Sequence, residues 1–159
     1  MNKKCIMIAC AFFVAVALQA KVSLPAFFSD GMVMQQQSQA SLWGKASKGK
    51  IVEVTTGWDG QTYTTRADEQ GKWKLTVQTP AAGGPYDITF DDGERTRIKD
   101  ILMGELWICS GQSNMEMPMK GFKNQPVEDA NMDVLRSRNS QIRLFTVKRN
   151  SQFAPVDDV

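Results

Sequence analysis

Residues 105–115 have the sequence ELWICSGQSNM, an apolar run followed by a glycine turn and a serine. The run from Leu106 to Cys109 does not alternate with polar residues, a pattern typical of a strand covered on both faces in a parallel α/β sheet. Gly111 permits a tight reversal after that strand. Ser113 is therefore predicted at the carboxyl end of a central strand, where open α/β sheets place ligands and nucleophiles. Serine and glycine are also common in turns that carry no chemistry, so spacing alone leaves both interpretations open.

Three blocks of the sequence together resemble one protein family. Residues 110–115, SGQSNM, are similar to the nucleophile block of the sialate O-acetylesterases, which are carbohydrate esterases of the SGNH hydrolase type. Residues 24–35, LPAFFSDGMVMQ, and residues 82–86, AGGPY, are similar to the amino-terminal region of the same family and occur in the same order. The resemblance runs from about Leu24 to the end of the sequence and concerns the amino-terminal portion of the family.

The resemblance implies a serine esterase that hydrolyses O-acetyl esters on sialic acids or other acetylated glycans. Ser113 would attack the acetyl carbonyl, and its backbone N–H would contribute to the oxyanion hole. Gln112 and Asn114 flank the nucleophile and are expected to support it or the oxyanion hole. Neither a cofactor nor a metal is implied.

The sequence contains no histidine, so this chain has no imidazole that could act as the base of a catalytic triad. In the family, the histidine and the aspartate that complete the triad belong to later blocks. Glu116, Lys120 and Lys123 could act as substitute bases, but each is more typical of a solvated loop. The chain is therefore expected to be an inactive fragment of an esterase. The alternative is a non-enzymatic β-sandwich module that binds carbohydrate or docks to a partner.

Residues 1–20 have the features of a secretory signal peptide. Lys3 and Lys4 precede an apolar run from Cys5 to Leu18 that is too short for a stable membrane anchor, and Ala20 offers a small residue for cleavage. Cleavage before Cys10, as in a lipoprotein, is the weaker alternative. The mature chain is expected to begin near Lys21 and to be exported to the periplasm or the extracellular space.

Processing changes the charge balance and the cysteine count. Loss of Lys3 and Lys4 reduces the 19 basic residues to 17, equal to the 17 acidic ones. No basic stripe then favours nucleic acid or an anionic membrane as a partner. Cys109 is the one cysteine of the sequence outside the leader, so no intrachain disulfide is expected, and its position predicts a small buried hydrophobe.

Residues 21–100 predict an all-β domain, most simply a β-sandwich. Short alternating runs are separated by turn residues at intervals of about 8–12 residues. Strands are predicted near residues 41–44, 51–56, 62–67, 73–78, 86–91 and 95–99, and the turns at residues 68–71 and 91–94 are predicted to close hairpins. Trp58 is the one tryptophan considered as a surface contact for sugar. The side chains predicted to face the core are Phe27, Phe28, Trp43, Val52, Val54, Trp73, Leu75, Val77, Ile88 and Phe90.

Residues 101–159 predict the incomplete start of an α/β hydrolase domain. After the strand that leads to Ser113, Pro126 and an apolar stripe at helical spacing indicate an amphipathic helix ending near Asn139. The apolar residues between Gln141 and Lys148 predict a further strand, which would complete a β-α-β unit. The expected fold is thus mainly β, with a β-sandwich followed by the beginning of an SGNH-type domain.

Overall fold

A computed structural model describes residues 21–148, 151–154, 156 and 158 of the chain. The predicted signal peptide, residues 1–20, lies outside the described residues. Among the described residues, no helix is both long enough and apolar enough to cross a membrane.

The described chain is mainly β, as predicted, and contains seven strands and two short helices. Five strands form one mixed sheet in the order β1-β7-β6-β3-β4, and β2 pairs with β5 in a second, antiparallel sheet. In chain order the elements are β1 (Val33–Gln35), β2 (Gln39–Lys45), β3 (Ile51–Thr56), β4 (Thr62–Arg66), β5 (Lys72–Gln78), β6 (Gly83–Asp91), β7 (Arg95–Gly104), α1 (Ser113–Glu116) and α2 (Ala130–Arg136).

The six predicted strands correspond to β2 through β7, because alternating polar and apolar residues bounded by turn residues specify half-buried strands. β1 was not predicted, since it has three residues and forms by parallel pairing with β7. β7 also continues beyond the predicted domain boundary at Asp100 and ends at Gly104. Its last residues bury Ile101 and Met103, so the β unit extends into the segment assigned to the second domain.

The two predicted hairpin turns have different outcomes. The turn after Asp91 joins β6 to β7, which pair antiparallel, so this hairpin is confirmed. The turn at residues 68–71 does not close a hairpin, because β4 and β5 belong to different sheets. Asp68 Oδ1 accepts hydrogen bonds from the backbone N–H groups of Gln70 and Lys72, at 2.9 and 2.8 Å, which makes a compact turn between the sheets.

The core is shared by both sheets. Trp73 of β5 and Phe90 of β6 have ring centroids 5.8 Å apart, so side chains of the two sheets pack against each other. Seven of the ten predicted core residues are buried, while Phe27, Trp43 and Leu75 are partly buried. Trp43 is only partly buried because Leu42, its neighbour in β2, is the residue that points into the core. Side chains alternate along a strand, so Trp43 lies on the opposite face.

The segment after Gly104 departs from prediction. Residues 105–112 form neither helix nor strand, and Trp107 and Ile108 are 81% and 89% exposed. Cys109, predicted to be buried, is exposed as well. The predicted buried strand is absent because a central strand needs a hydrogen-bonded neighbour on each side, and the described residues supply none here.

The helix of the predicted β-α-β unit is formed, but the second strand is not. α2 lies within the predicted helical segment but spans only Ala130–Arg136. Residues 141–148 form no strand in the described structure, and Leu144 is 92% exposed. Arg143 Nη2 donates a 2.9 Å hydrogen bond to Asp100 Oδ1, which connects this segment to β7. Without further strands to pair with, the apolar residues here have no sheet to join.

Candidate functional site

The first two sequence blocks that carry the family resemblance meet at the end of β7, where the segment leading to the third block begins. Gln36, directly after the first block, donates from Nε2 to Glu105 Oε1 at 2.7 Å and accepts at Oε1 from the Ala82 N–H at 2.8 Å. Gln35 donates to Glu105 Oε2 at 3.2 Å and accepts from the Leu106 N–H at 2.9 Å. Two adjacent glutamine side chains therefore bind the start of the segment that leads to Ser113.

Hydrogen bonding favours the ionised form of Glu105. The bond from Gln36, and secondarily the bond from Gln35, lowers the pKa of the Glu105 carboxyl below its ordinary value of 4.5. The carboxylate is solvent-exposed, so these directed hydrogen bonds, rather than burial, account for the shift. The clamp formed by Gln35, Gln36 and Glu105 is therefore complete above the pKa of Glu105.

The glycines of the second block, AGGPY, let this part of the chain approach β7 closely. Gly83 pairs with Met103, and Gly84 has a φ of +122°, which side-chain-bearing residues rarely adopt. A Cβ added at Gly84 would lie 2.7 Å from the Ile101 carbonyl oxygen. The block thus provides the space in which β6 begins beside the last residues of β7.

Ser113 is the first residue of α1, a helix of a single turn. Gln112 precedes the helix, and its carbonyl oxygen accepts a 2.9 Å hydrogen bond from the Met115 N–H. A Cβ added at Gly111 would lie 2.9 Å from Met115 Cγ, so the absence of a side chain there permits the tight turn. Ser113 is solvent-exposed and follows this turn, but no described strand leads to it, so its predicted place at the carboxyl end of a central strand is not observed.

The structure does not join Ser113 to its predicted supporting residues. Within the described part of the chain, no hydrogen bond links the side chains of Ser113, Gln112 and Asn114. All three side chains are exposed. They are held close by sequence adjacency and by the α1 turn alone, which leaves the Ser113 hydroxyl open to solvent and to a reacting group.

The three candidate substitute bases, Glu116, Lys120 and Lys123, are all exposed. Glu116 is the last residue of α1, and Lys123 lies in the loop that follows. Lys120 lies near α2, where it lines a shallow depression with Leu135. Among the residues that the structure describes, no cluster of three or more His, Cys, Asp or Glu side chains could hold a metal ion.

Sequence inspection missed the clamp on Glu105. Its signal was present in the consecutive glutamines at 35 and 36 and in the acidic residue that opens the segment 105–115. Polar residues of this kind are common on surfaces, however, and their pairing spans 69 positions of the chain. Only the parallel pairing of β1 with β7 brings the two ends together.

Comparison with known proteins finds similarity to the same family that the sequence blocks resemble. No protein-family model matches the chain. The sialate O-acetylesterase of Mus musculus is 27% identical over 143 residues, which cover 84% of this chain and 26% of the mouse protein. The Homo sapiens sialate O-acetylesterase is 29% identical over 131 residues, covering 76% of this chain and 24% of the human protein.

A solved structure extends the similarity to the fold. The crystal structure of a carbohydrate acetylesterase from Xanthomonas citri matches with a TM-score of 0.68 and 32% identity, over 76% of this chain and 26% of that one. The chain thus spans about a quarter of the length of the relatives it matches. The resemblance to the sialate O-acetylesterases that the three sequence blocks predicted is confirmed by sequence similarity, and the chain is similar in fold to a carbohydrate acetylesterase.

Proposed function

We propose that this chain is the part of a secreted serine esterase that carries the nucleophile, and that the esterase removes O-acetyl groups from sialic acids or other acetylated glycans. The observation that carries the proposal is the position of Ser113, exposed at the start of a helical turn two residues after Gly111. The range matched by the mouse relative covers 84% of the chain and therefore spans position 113. The names of the relatives support acetyl esters of carbohydrates as the substrate class.

The proposed reaction is acyl transfer in two steps. Ser113 Oγ attacks the acetyl carbonyl carbon while a base accepts the hydroxyl proton, and the sugar oxygen leaves with a proton returned by that base. Water then attacks the acetyl-serine, acetate leaves, and the serine is restored. The first N–H groups of a helix have no acceptor within it, so the Ser113 N–H is available to the negative charge that develops on the carbonyl oxygen.

The base is proposed to come from a histidine in a longer polypeptide, paired with an aspartate. The 159 residues contain no histidine to take the serine proton. The exposed apolar residues at 106–108 and 142–147 support the same idea, because further α/β segments of an SGNH-type domain could cover them. By itself, the 159-residue chain is proposed to be inactive.

The test is a chimera in which this chain replaces the matching quarter of the Xanthomonas citri carbohydrate acetylesterase. Hydrolysis of p-nitrophenyl acetate and of O-acetylated sialic acid is measured for the chimera and for the chain alone. The chimera should be active and the chain alone should not. Ser113→Ala in the chimera should lower turnover by a factor on the order of 10⁶, the loss typical of removing a triad member.

Ser110→Ala is the matched control, because Ser110 precedes the Gly111 turn and lies in the same exposed segment. It should leave most of the activity in place. Circular dichroism of each variant checks folding. Turnover by the chain alone that disappears with Ser113→Ala would contradict the need for an external base and would direct attention to Glu116, Lys120 and Lys123.

A further inference from the structure

Residues 106–148 are anchored to the β unit near both ends. At the first end, the glutamine clamp holds Glu105. Near the other end, Arg143 Nη2 donates a 2.9 Å hydrogen bond to Asp100 Oδ1, and Arg143 Nη1 donates to the Asp100 carbonyl oxygen. Asp100 lies in β7 and Glu105 directly follows that strand, so both anchors lie along the edge of the five-stranded sheet that β1 and β7 form. This edge, the β1–β7 edge, therefore holds the chain on both sides of Ser113.

Arg143 is the least exposed residue of segment 141–148. Its side chain is 21% exposed, whereas the apolar residues Ile142 and Leu144 beside it are 66% and 92% exposed. This order is the reverse of the one that hydrophobicity would give, because arginine is seldom buried unless it is paired. The segment therefore contacts the β unit through the guanidinium group and its hydrogen bonds rather than through apolar packing.

The backbone of β7 is irregular at the residue that binds Arg143. Two steps of β6, from Tyr86 to Ile88, are matched by three steps of β7, so β7 carries a bulge at residues 99–100. Asp100 within this bulge has a φ of +59°, an uncommon conformation for a residue with a side chain. Bulges redirect side chains, and unusual backbone conformations persist where the surrounding structure requires them. Here the carbonyl and the carboxylate of Asp100 both accept from Arg143.

The first family block contributes to both anchors. Gly31 has a φ of +82°, and a Cβ placed on it would lie 3.6 Å from Arg143 Nη1, so the guanidinium group lies beside this glycine. Gln35, at the other end of the same block, donates a 3.2 Å hydrogen bond to Glu105. One short stretch of sequence therefore lies next to both ends of the segment that carries Ser113.

We propose that the segment carrying Ser113 docks on the β1–β7 edge and that Arg143 and Glu105 are the residues that position it. The two anchors restrict residues 106–142 to a loop with fixed ends. Closing a loop of this length costs conformational entropy, which the hydrogen bonds at its two ends offset. The β unit is then a structural support for the candidate nucleophile rather than a separable module. The docking does not depend on the esterase chemistry; its effect on the reaction does.

Docking is tested on the full chain by ¹⁵N relaxation, because the {¹H}–¹⁵N NOE reports backbone motion on the picosecond-to-nanosecond timescale. Arg143→Gln should lower the NOE of residues 141–145 to that of a flexible chain. Arg143→Lys should lower it nearly as far, because a lysine ammonium group lacks the fork that reaches two oxygens. Glu105→Ala should lower the NOE of residues 105–108.

The matched controls are Arg138→Gln and Glu128→Ala, which remove exposed charges from the same part of the chain. Neither should change the NOE of the two anchored stretches. The docking would be overturned if those stretches already have the NOE of a flexible chain in the unmodified protein. It would also be overturned if their NOE is unchanged in both Arg143→Gln and Glu105→Ala.

The effect on the reaction rests on the proposed function and is measured in the chimera. Because a misplacement of about 1 Å can cost about 10²-fold in rate, Arg143→Gln and Glu105→Ala should lower kcat for p-nitrophenyl acetate by about tenfold or more, with KM changed by less than about twofold. The two controls should leave both constants in place. An active chimera whose kcat is unchanged in both anchor variants would overturn the positioning role. An inactive chimera would instead contradict the proposed esterase, and the NOE values would still decide whether the segment docks.

Discussion

Gln36 Nε2 donates a 2.7 Å hydrogen bond to Glu105 Oε1 and so joins two residues 69 positions apart in the chain. The same glutamine side chain accepts from the Ala82 N–H. One amide therefore connects β1, the loop before β6 and the end of β7, and it positions the chain at the point where the segment leading to Ser113 begins. The clamp is a structural feature that links the β unit to the candidate nucleophile.

The clamp predicts a pH dependence of stability. The pKa of Glu105 is lower in the folded protein than its ordinary value of 4.5, so the clamp contributes stability fully above that value. The contribution is lost as the pH falls through the lowered pKa. The midpoint of urea unfolding should therefore decrease less between pH 6 and pH 3 in Glu105→Gln than in the unmodified protein.

The control for this prediction is Glu53→Gln, which removes an exposed carboxylate of β3 that takes part in no described hydrogen bond. It should show the same loss between pH 6 and pH 3 as the unmodified protein. An equal loss in Glu105→Gln as well would show that the clamp does not contribute to acid stability.

The backbone at Gly84 predicts an intolerance to side chains. Gly84→Ala would combine a φ of +122° with a Cβ 2.7 Å from the Ile101 carbonyl oxygen, so unfolding free energy should fall by about 1–3 kcal/mol or more. Gly49→Ala is the matched control, because Gly49 also has positive φ, +68°, but its Cβ would meet no atom within 4 Å. Denaturant titration should find the control less destabilised, and equal losses would contradict a role for the close approach.

The length of β7 predicts where the stable unit ends. Ile101 is fully buried and Met103 is 3% exposed, so a fragment ending at Asp100 loses two core side chains and the pairing with β1. Each such loss costs about 2–5 kcal/mol, which is comparable to the total stability of a small domain. A fragment of residues 21–105 should unfold cooperatively, and a fragment of residues 21–100 should not. A stable, cooperative shorter fragment would place the boundary at Asp100 after all.

The exposure of Cys109 predicts its reactivity. Because the thiol lies in the exposed segment 105–112, it should react with Ellman's reagent in the folded protein at a rate close to that in urea. Cys109→Ser identifies its share of the signal. Strong protection in the absence of urea would mean that this segment is buried, as the apolar sequence alone predicted.

The proposed signal peptide predicts the mass of the protein after export. If residues 1–20 are a signal peptide cleaved after Ala20, Cys5 and Cys10 leave with it, and the mature chain should begin near Lys21 and contain one free thiol. Intact mass spectrometry after expression with export tests this directly. A retained leader, or a lipid on Cys10, would contradict the prediction.

Local sequence patterns were sufficient for most of the β unit. Alternation in segments such as 51–56 and 72–78 specifies which face of a strand is buried, and glycine with aspartate specifies the turn after Asp91. The resemblance to the sialate O-acetylesterases could also be recognised from the three sequence blocks and is confirmed by the relatives, whereas the catalytic role of Ser113 stays a prediction.

The tertiary structure alone decided the features that depend on distant partners. The apolar run from Leu106 to Cys109 has the composition of a buried strand, but hydrogen bonding to neighbouring strands makes a strand, and the described residues provide no neighbours. The Gln36–Glu105 clamp likewise arises from pairing between residues far apart in the chain. Periodicity determines which face of an element is apolar, whereas the partner that covers that face is determined by how the whole chain packs.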